Sequence, residues 1–198
     1  MDPHSHEKNY PTQAPEDVEL VRRVAAGDRI AGEVLVERHL RLIVGFAFRL
    51  LGDMAEAEDV AQETFLRLWK HADRWEPRAK LSTWLHHVAR NLCIDRLRLR
   101  RGREGEVMEL PDLRPGVVTL LESRQRDDAV QRALLQLAER QRSAIVLVYY
   151  QGLSNREAAQ VLGVEVDALE SLLARGRRTL RKLLMGVEGE TAKREIVS

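Results

Sequence analysis

One cysteine, Cys93, stands in a chain of 198 residues. That scarcity excludes an intramolecular disulfide and any CxxC redox or zinc motif, and a lone cysteine is expected in the core. Long hydrophobic runs are missing too. The longest, residues 42–48 and 144–150 with glycine counted, fall far short of the ~20 apolar residues that span a bilayer. The opening stretch MDPHSHEKNYPTQAP has no hydrophobic signal segment, so the expectation is a cytoplasmic protein without membrane insertion. There is no strand-like alternation and no internal repeat. There is also no phosphate-binding glycine loop, no nucleophile motif and no metal-ligand cluster, since His4 and His6 sit in a polar arm. A non-enzyme with no catalytic residue, no cofactor and no metal is expected.

Neither sign of charge dominates, with 32 Lys plus Arg against 31 Asp plus Glu. The balance hides an uneven distribution. Residues 1–73 carry 9 basic and 14 acidic groups, residues 74–103 carry 9 and 2, residues 104–139 carry 4 and 8, and residues 140–198 carry 10 and 7. The segment charges are therefore −5, +7, −4 and +3. Two basic blocks between acidic ones suit a protein that meets polyanion at two places and protein elsewhere.

Helical periodicity accounts for the rest of the chain. Leu20, Val21, Val24 and Ala25 mark a first helix that Gly27 ends. A second, from about residue 29 to 51, buries Leu35, Leu42, Phe46 and Leu50. Asp53 with Glu56 resembles a capping box and opens a third, with Ala57, Ala61, Phe65 and Leu68 inward. The opposite stripe of that helix, Asp59, Gln62, Glu63, Leu66 and Lys70, is polar with one exposed leucine, which suits a protein interface. The segment RWEPRAKL reads as a loop, and Ser82 or Thr83 is expected to cap a fourth helix to about residue 101. Its inner face is Leu85, Val88, Ala89 and Leu92, leaving His86, His87, Arg90 and Asn91 elsewhere. In the second half, one helix carries Val130, Leu134 and Leu137, and the next carries Ile145, Val148 and Tyr149. Ser154 with Glu157 caps a short helix, Gly163 turns the chain, and a last helix from about residue 166 to 184 buries Leu169, Leu173, Leu180 and Leu184. The fold class is all-α: two small helical domains, residues 16–101 and 122–185, joined by a flexible linker at 102–121. A disordered arm at 1–15 and a flexible tail at 186–198 flank them.

Two constellations carry function. Helix, turn and helix from Ser154 onward match DNA-binding units whose second helix enters the major groove, and Arg175, Arg177, Arg178, Arg181 and Lys182 supply phosphate contacts. Trp69, Trp75 and Trp84 lie beside or inside the first basic block. Aromatic rings among cations serve unstacked bases and a phosphate backbone together. Trp69 and Trp84, on helices, are expected to be mostly core, and Trp75, on the loop, to be the contact residue.

The runs DMAEAEDVAQETFLRLWK, LSTWLHHVARNLCIDRLR and LAERQRSAIVLVYYQGLSNREAAQVLGV resemble regions 2 and 4 of extracytoplasmic-function (group IV) sigma factors of the sigma-70 family. They occur in the right order, and the resemblance covers about residues 16–185. It implies a promoter-recognition subunit of RNA polymerase. The implied partners are the β′ clamp helices and β flap of the polymerase core, promoter DNA, and an anti-sigma factor. Carried over by position, Asp59, Gln62, Glu63 and Leu66 fall in the clamp-binding helix. Trp75, Arg78, Lys80 and Ser82 fall in the loop that captures a flipped minus-ten base, and His86, His87, Arg90 and Asn91 face promoter DNA beside it. Asp167, Glu170, Ser171, Ala174, Arg175, Arg177 and Arg178 fall on the minus-thirty-five helix. That helix departs from the family pattern, with Glu170 and Leu172 where relatives carry cations and Glu165 where a serine cap is usual, so relatives' base preferences do not transfer. The alternative is a helix-turn-helix regulator acting without polymerase, which leaves the tryptophan loop and the acidic stripe without a role.

Overall fold

The structure, a computed structural model, describes residues 15–77, 79–103 and 121–197, with side chains placed for 16–77, 79–101 and 127–185. All regular structure among the described residues is helical. The arm up to residue 14, Arg78, and most of the expected linker (104–120) lie outside it.

Helix α1 (Pro15–Ala25) starts on a proline, whose missing N–H costs nothing at a first helical position. Gly27, at φ 88°, turns the chain, and the Asp28 carboxylate accepts from Ile30 N and Ala31 N to start α2 (Arg29–Leu51). The buried arc of α2 centres on His39, Ile43 and Leu50. Leu42, expected inside, falls at its edge and is 45% exposed. Asp53 caps α3 (Met54–His71) by accepting from Glu56 N at 2.9 Å. The reciprocal half of the expected box is absent, because the Glu56 carboxylate pairs with Arg100 at 2.7 Å. Helix α4 (Leu81–Arg103) begins one residue ahead of Ser82, with Trp84 N bonded to Lys80 O. Neither Ser82 nor Thr83 is therefore its cap, and Thr83 is buried.

The second group comprises α5 (Leu121–Leu135), α6 (Glu139–Ile145), which runs on into one π-helical turn at Val146–Tyr150, α7 (Asn155–Leu162) and α8 (Val166–Val197). Ser154 and Glu157 form the full capping box, and Gly163 at φ 64° makes the turn into α8. Helix α8 continues past Leu184 to Val197.

The two groups share one contiguous apolar core. Their join lies at the C-terminus of α2, where the last carbonyls of a helix lack internal partners. Arg142 Nη1 donates to Leu50 O at 2.6 Å and Gln131 Nε2 to Phe48 O at 3.1 Å, both from the second group. Gly52 ends α2 at φ 75°, and a Cβ there would meet Leu135 Cδ1 at 2.7 Å.

Candidate functional site

Three surfaces hold the residues singled out by sequence. On the first, Asp59, Gln62, Glu63 and Leu66 line one cleft of about 460 Å³ with Arg67, Leu92 and Arg96. One turn apart on α3, they point the same way because 3.6 residues close a turn. Asp59, Gln62 and Leu66 are exposed, and Glu63 accepts from Arg67 Nε at 2.9 Å. An apolar groove of about 620 Å³ adjoins the cleft, between Val36, Leu40 and Val44 of α2 and Phe65, Leu66 and Trp69 of α3. Trp69, expected in the core, is 39% exposed here and stands edge-on to Phe65 at 5.8 Å. The signal for it was Gly32 inside α2: a Cβ there would sit 2.9 Å from Trp69 Cζ2, so the missing side chain lets the indole lie against the helix.

The second surface is the loop and the start of α4. Trp75 is half-buried rather than free, and with Trp84 and Ala79 it lines a cleft of about 530 Å³ whose wall includes Gln160 of α7. Lys80 Nζ lies 2.9 Å from Glu157 Oε1. Burial alone would raise the Glu157 carboxyl, but hydrogen bonds from Lys80 and Ser154 outweigh it and hold it below the usual carboxylate range. Ser82 O accepts from His86 Nδ1 at 2.7 Å.

His86 departs from the expectation. It is 2% exposed, edge-on to Phe46 at 5.2 Å and 3.4 Å from the Gln151 side-chain amide. The period of α4 placed it off the inner face of the first group, and the second group covers that side. Burial pushes its pKa below the ordinary histidine value, so it is held neutral. His87 Nδ1 donates to Val161 O at 3.2 Å, and Asn91 Nδ2 donates to His87 Nε2 at 3.2 Å. Arg90 Nη2 lies 3.4 Å from Glu139 Oε1.

The third surface is α8. Asp167, Glu170, Ser171, Ala174, Arg175, Arg177 and Arg178 are all exposed, along a helix whose buried side is Leu169, Leu173 and Gly176. Gly176 allows close approach to α6, since a Cβ there would meet Ile145 Cγ1 at 3.0 Å. Two partners escaped the sequence reading. Asn155 Nδ2 donates to Glu170 Oε1 at 3.3 Å, which ties the first residue of α7 to the first turns of α8. Arg177 Nη1 donates to Tyr149 OH at 2.7 Å. Tyr149 was expected on the inner face of its helix but is 52% exposed, because it lies in the π-helical turn. Cys93 is fully buried as expected, and burial pushes its thiol up to about 12.

Among the described residues, no helix is long and apolar enough to cross a membrane. Residues 35–103 match the family Sigma-70 region 2, and residues 127–180 match Sigma-70, region 4. The chain is similar to the ECF RNA polymerase sigma factor SigW of Bacillus subtilis, with 33% identity over 83% of this chain and 94% of that one. Its fold is similar to that of CnrH, solved in complex with the cytosolic domain of CnrY, at 29% identity and TM-score 0.69, covering 86% of this chain and 98% of that one. It is also similar to the sigma factor RpoE of Bartonella quintana, solved with the anti-sigma factor NepR, at 28% identity and TM-score 0.65, covering 77% and 96%. An all-helical chain with these two regions in this order, and a helix-turn-helix at its second, belongs to the sigma-70 family, among the extracytoplasmic-function RNA polymerase sigma factors.

Proposed function

We propose that this chain is a group IV sigma factor that acts in the cytoplasm without enzymatic activity of its own. It binds the RNA polymerase core, directs initiation at its promoters, and is held in check by an anti-sigma factor. The domain at 16–101 contacts the β′ clamp helices and opens the minus-ten element, the segment at 102–121 connects the domains, and the domain at 122–185 engages the β flap and the minus-thirty-five element. The observation that carries this reading is the single cleft lined by Asp59, Gln62, Glu63 and Leu66, an interface-like mixture of charge, amide and apolar groups. It lies on the same group of helices as the basic block 74–103, so polymerase and melted DNA would be met by one rigid body. The exposed stripe of α8 then takes duplex DNA, with Arg175, Arg177 and Arg178 at phosphates and Asp167, Glu170, Ser171 and Ala174 near base edges.

The test is titration of purified core polymerase with the full chain carrying Gln62→Ala and Glu63→Ala. Affinity should fall about tenfold or more, in keeping with loss of contacts at an interface centre. Circular dichroism should be unchanged, because Gln62 is exposed and the ion pair of Glu63 with Arg67 is largely at the surface. Undiminished affinity would overturn the assignment of this face to the polymerase.

A further inference from the structure

Glu170 is an acid on a helix otherwise furnished for a polyanion. Arg177 and Arg178 lie two turns further along the same exposed face. A carboxylate left to itself there turns away from phosphates into solvent. Its own helix offers nothing to prevent that: Val166, Asp167, Leu173 and Ala174, one turn away in either direction, include no cation, and Asp167 repels it. The group that holds it comes from α7, where Asn155 Nδ2 donates to Glu170 Oε1 at 3.3 Å. A carboxylate only accepts, so it is the amide nitrogen of Asn155 that must face it. Asn155 is half-buried at the first position of α7, next to Ser154, whose capping box with Glu157 fixes that end of the helix. The bond from Val164 N to Ala159 O sets the turn into α8. The amide is thus anchored on a rigid element, while the acid it holds is exposed.

We propose that Asn155 is a positioning residue for base selection by α8: it engages one oxygen of Glu170 and so turns the other outward, as an acceptor for the exocyclic amine of cytosine in the major groove. The inference rests on the reading of α8 as the minus-thirty-five helix and deepens it by naming the base and the residue that sets its choice. A charged acceptor suits cytosine N4. It is repelled by O6 and N7 of guanine, by O4 of thymine, and by the N7 that stands beside the amine of adenine. Orientation is what the Asn155 bond contributes. At an exposed site such a bond adds little to stability, so its loss leaves the fold standing. A glutamate free to rotate, by contrast, must be ordered afresh at each encounter with a base, and that cost falls on the selected sequence.

The experiment transcribes a library of promoters, randomised across the minus-thirty-five element, with the full chain bound to core polymerase at fixed salt. The parent should favour cytosine at a single position by about fivefold or more. Asn155→Ala should cut that selectivity about threefold or more and leave the other positions as they were. Glu170→Gln should turn the preference there to guanine or thymine, because Asn155 still engages the oxygen and the new amide nitrogen then points at the base. Adding Asn155→Asp to Glu170→Gln reverses the pair. The new carboxylate accepts from the new amide, whose oxygen turns outward, and cytosine should be favoured again. Neither a phosphate contact nor a helix-start role for Asn155 produces that restoration. Yield lowered alike for every sequence by Asn155→Ala, with the base profile unchanged, would overturn the positioning, as would a double variant that does not restore cytosine. A profile that Glu170→Gln changes and Asn155→Ala does not sinks the positioning alone. One that neither variant changes sinks the reading of this face of α8 at base edges and the positioning with it.

Discussion

Arg142 is the test of what holds the two groups of helices together. Its side chain is 5% exposed, reaches out of α6, and places Nη1 2.6 Å from Leu50 O in the last turn of α2. Replacing it with methionine keeps most of the volume and removes the donor. Two effects then oppose each other. Loss of a charge-assisted hydrogen bond, with a buried carbonyl left unsatisfied, costs about 1.5–3 kcal/mol. The negative end of the α2 dipole also loses a cation, at about 0.3–1 kcal/mol. Against this, a buried guanidinium carries a desolvation penalty, which is what pushes the Arg142 pKa below the ordinary arginine value, and its Nε has no partner. Apolar replacement of buried ions can be neutral or better. The orphan left behind decides the sign. Leu50 O sits at a helix end where no backbone N–H follows to take it, while the Gly52 N–H that closes the helix serves Phe48 O instead. The net loss should therefore be about 2–3 kcal/mol, which for a chain of this size lowers Tm by roughly 4–12 °C. The assay is thermal unfolding of the full chain followed by tryptophan fluorescence and far-ultraviolet circular dichroism together. All three tryptophans lie in the first group of helices, so fluorescence reports that group and dichroism reports both. A Tm equal to or above that of the parent would show that desolvation wins and that Arg142 does not secure the join.

Gly52→Ala should destabilise by about 2–4 kcal/mol, from the left-handed backbone and the 2.7 Å approach to Leu135. Leu135→Ala in the same chain should recover the packing share in a urea double-mutant cycle, and strict additivity would show that the two do not touch. His86 is neutral because burial lowers its pKa from 6.5, so the unfolded chain takes up a proton first. Its contribution is complete above pH 6.5 and is lost as pH falls from there through the lowered folded value, at up to about 1.4 kcal/mol per pH unit. Urea midpoints between pH 7.5 and 5 should show that slope in the parent and a flatter one in His86→Leu; parallel slopes would refute it. Glu170→Gln should change which minus-thirty-five sequences are preferred in a transcribed promoter library, because carboxylate and amide offer different groups to a base edge. Arg178→Ala should instead weaken all promoters alike and reduce the salt dependence. An unchanged preference for Glu170→Gln would leave that residue as a partner of Asn155 alone.

Local chemistry was legible without coordinates. The helix starts at Asp53 and Ser154, the turns at Gly27 and Gly163, the buried stripe Ala57, Ala61, Phe65 and Leu68, and the shared cleft of Asp59, Gln62, Glu63 and Leu66 all follow from interactions within a few residues or from a fixed helical period. The seven α8 residues emerged on one exposed face for the same reason. Periodicity faltered where a helix meets two neighbours or changes pitch. Leu42 lies at the edge of an arc shared between packing partners, and Tyr149 sits in a π-helical turn that breaks the 3.6-residue count.

What only the tertiary structure decided is where the second group of helices sits. A helical period can say that His86 lies off the inner face of its own domain, but not that another domain covers that side. The partners of Lys80, His86, His87 and Arg90 are 77, 65, 74 and 49 residues away in the chain. At such separations loop closure, shape and desolvation determine who meets whom, and none of these leaves a mark in a window of a dozen residues. The capping of Leu50 O by Arg142 is of the same kind, a helix-end carbonyl satisfied from 92 residues downstream. Sequence therefore determined which surfaces this protein carries, and tertiary packing determined which of them face each other.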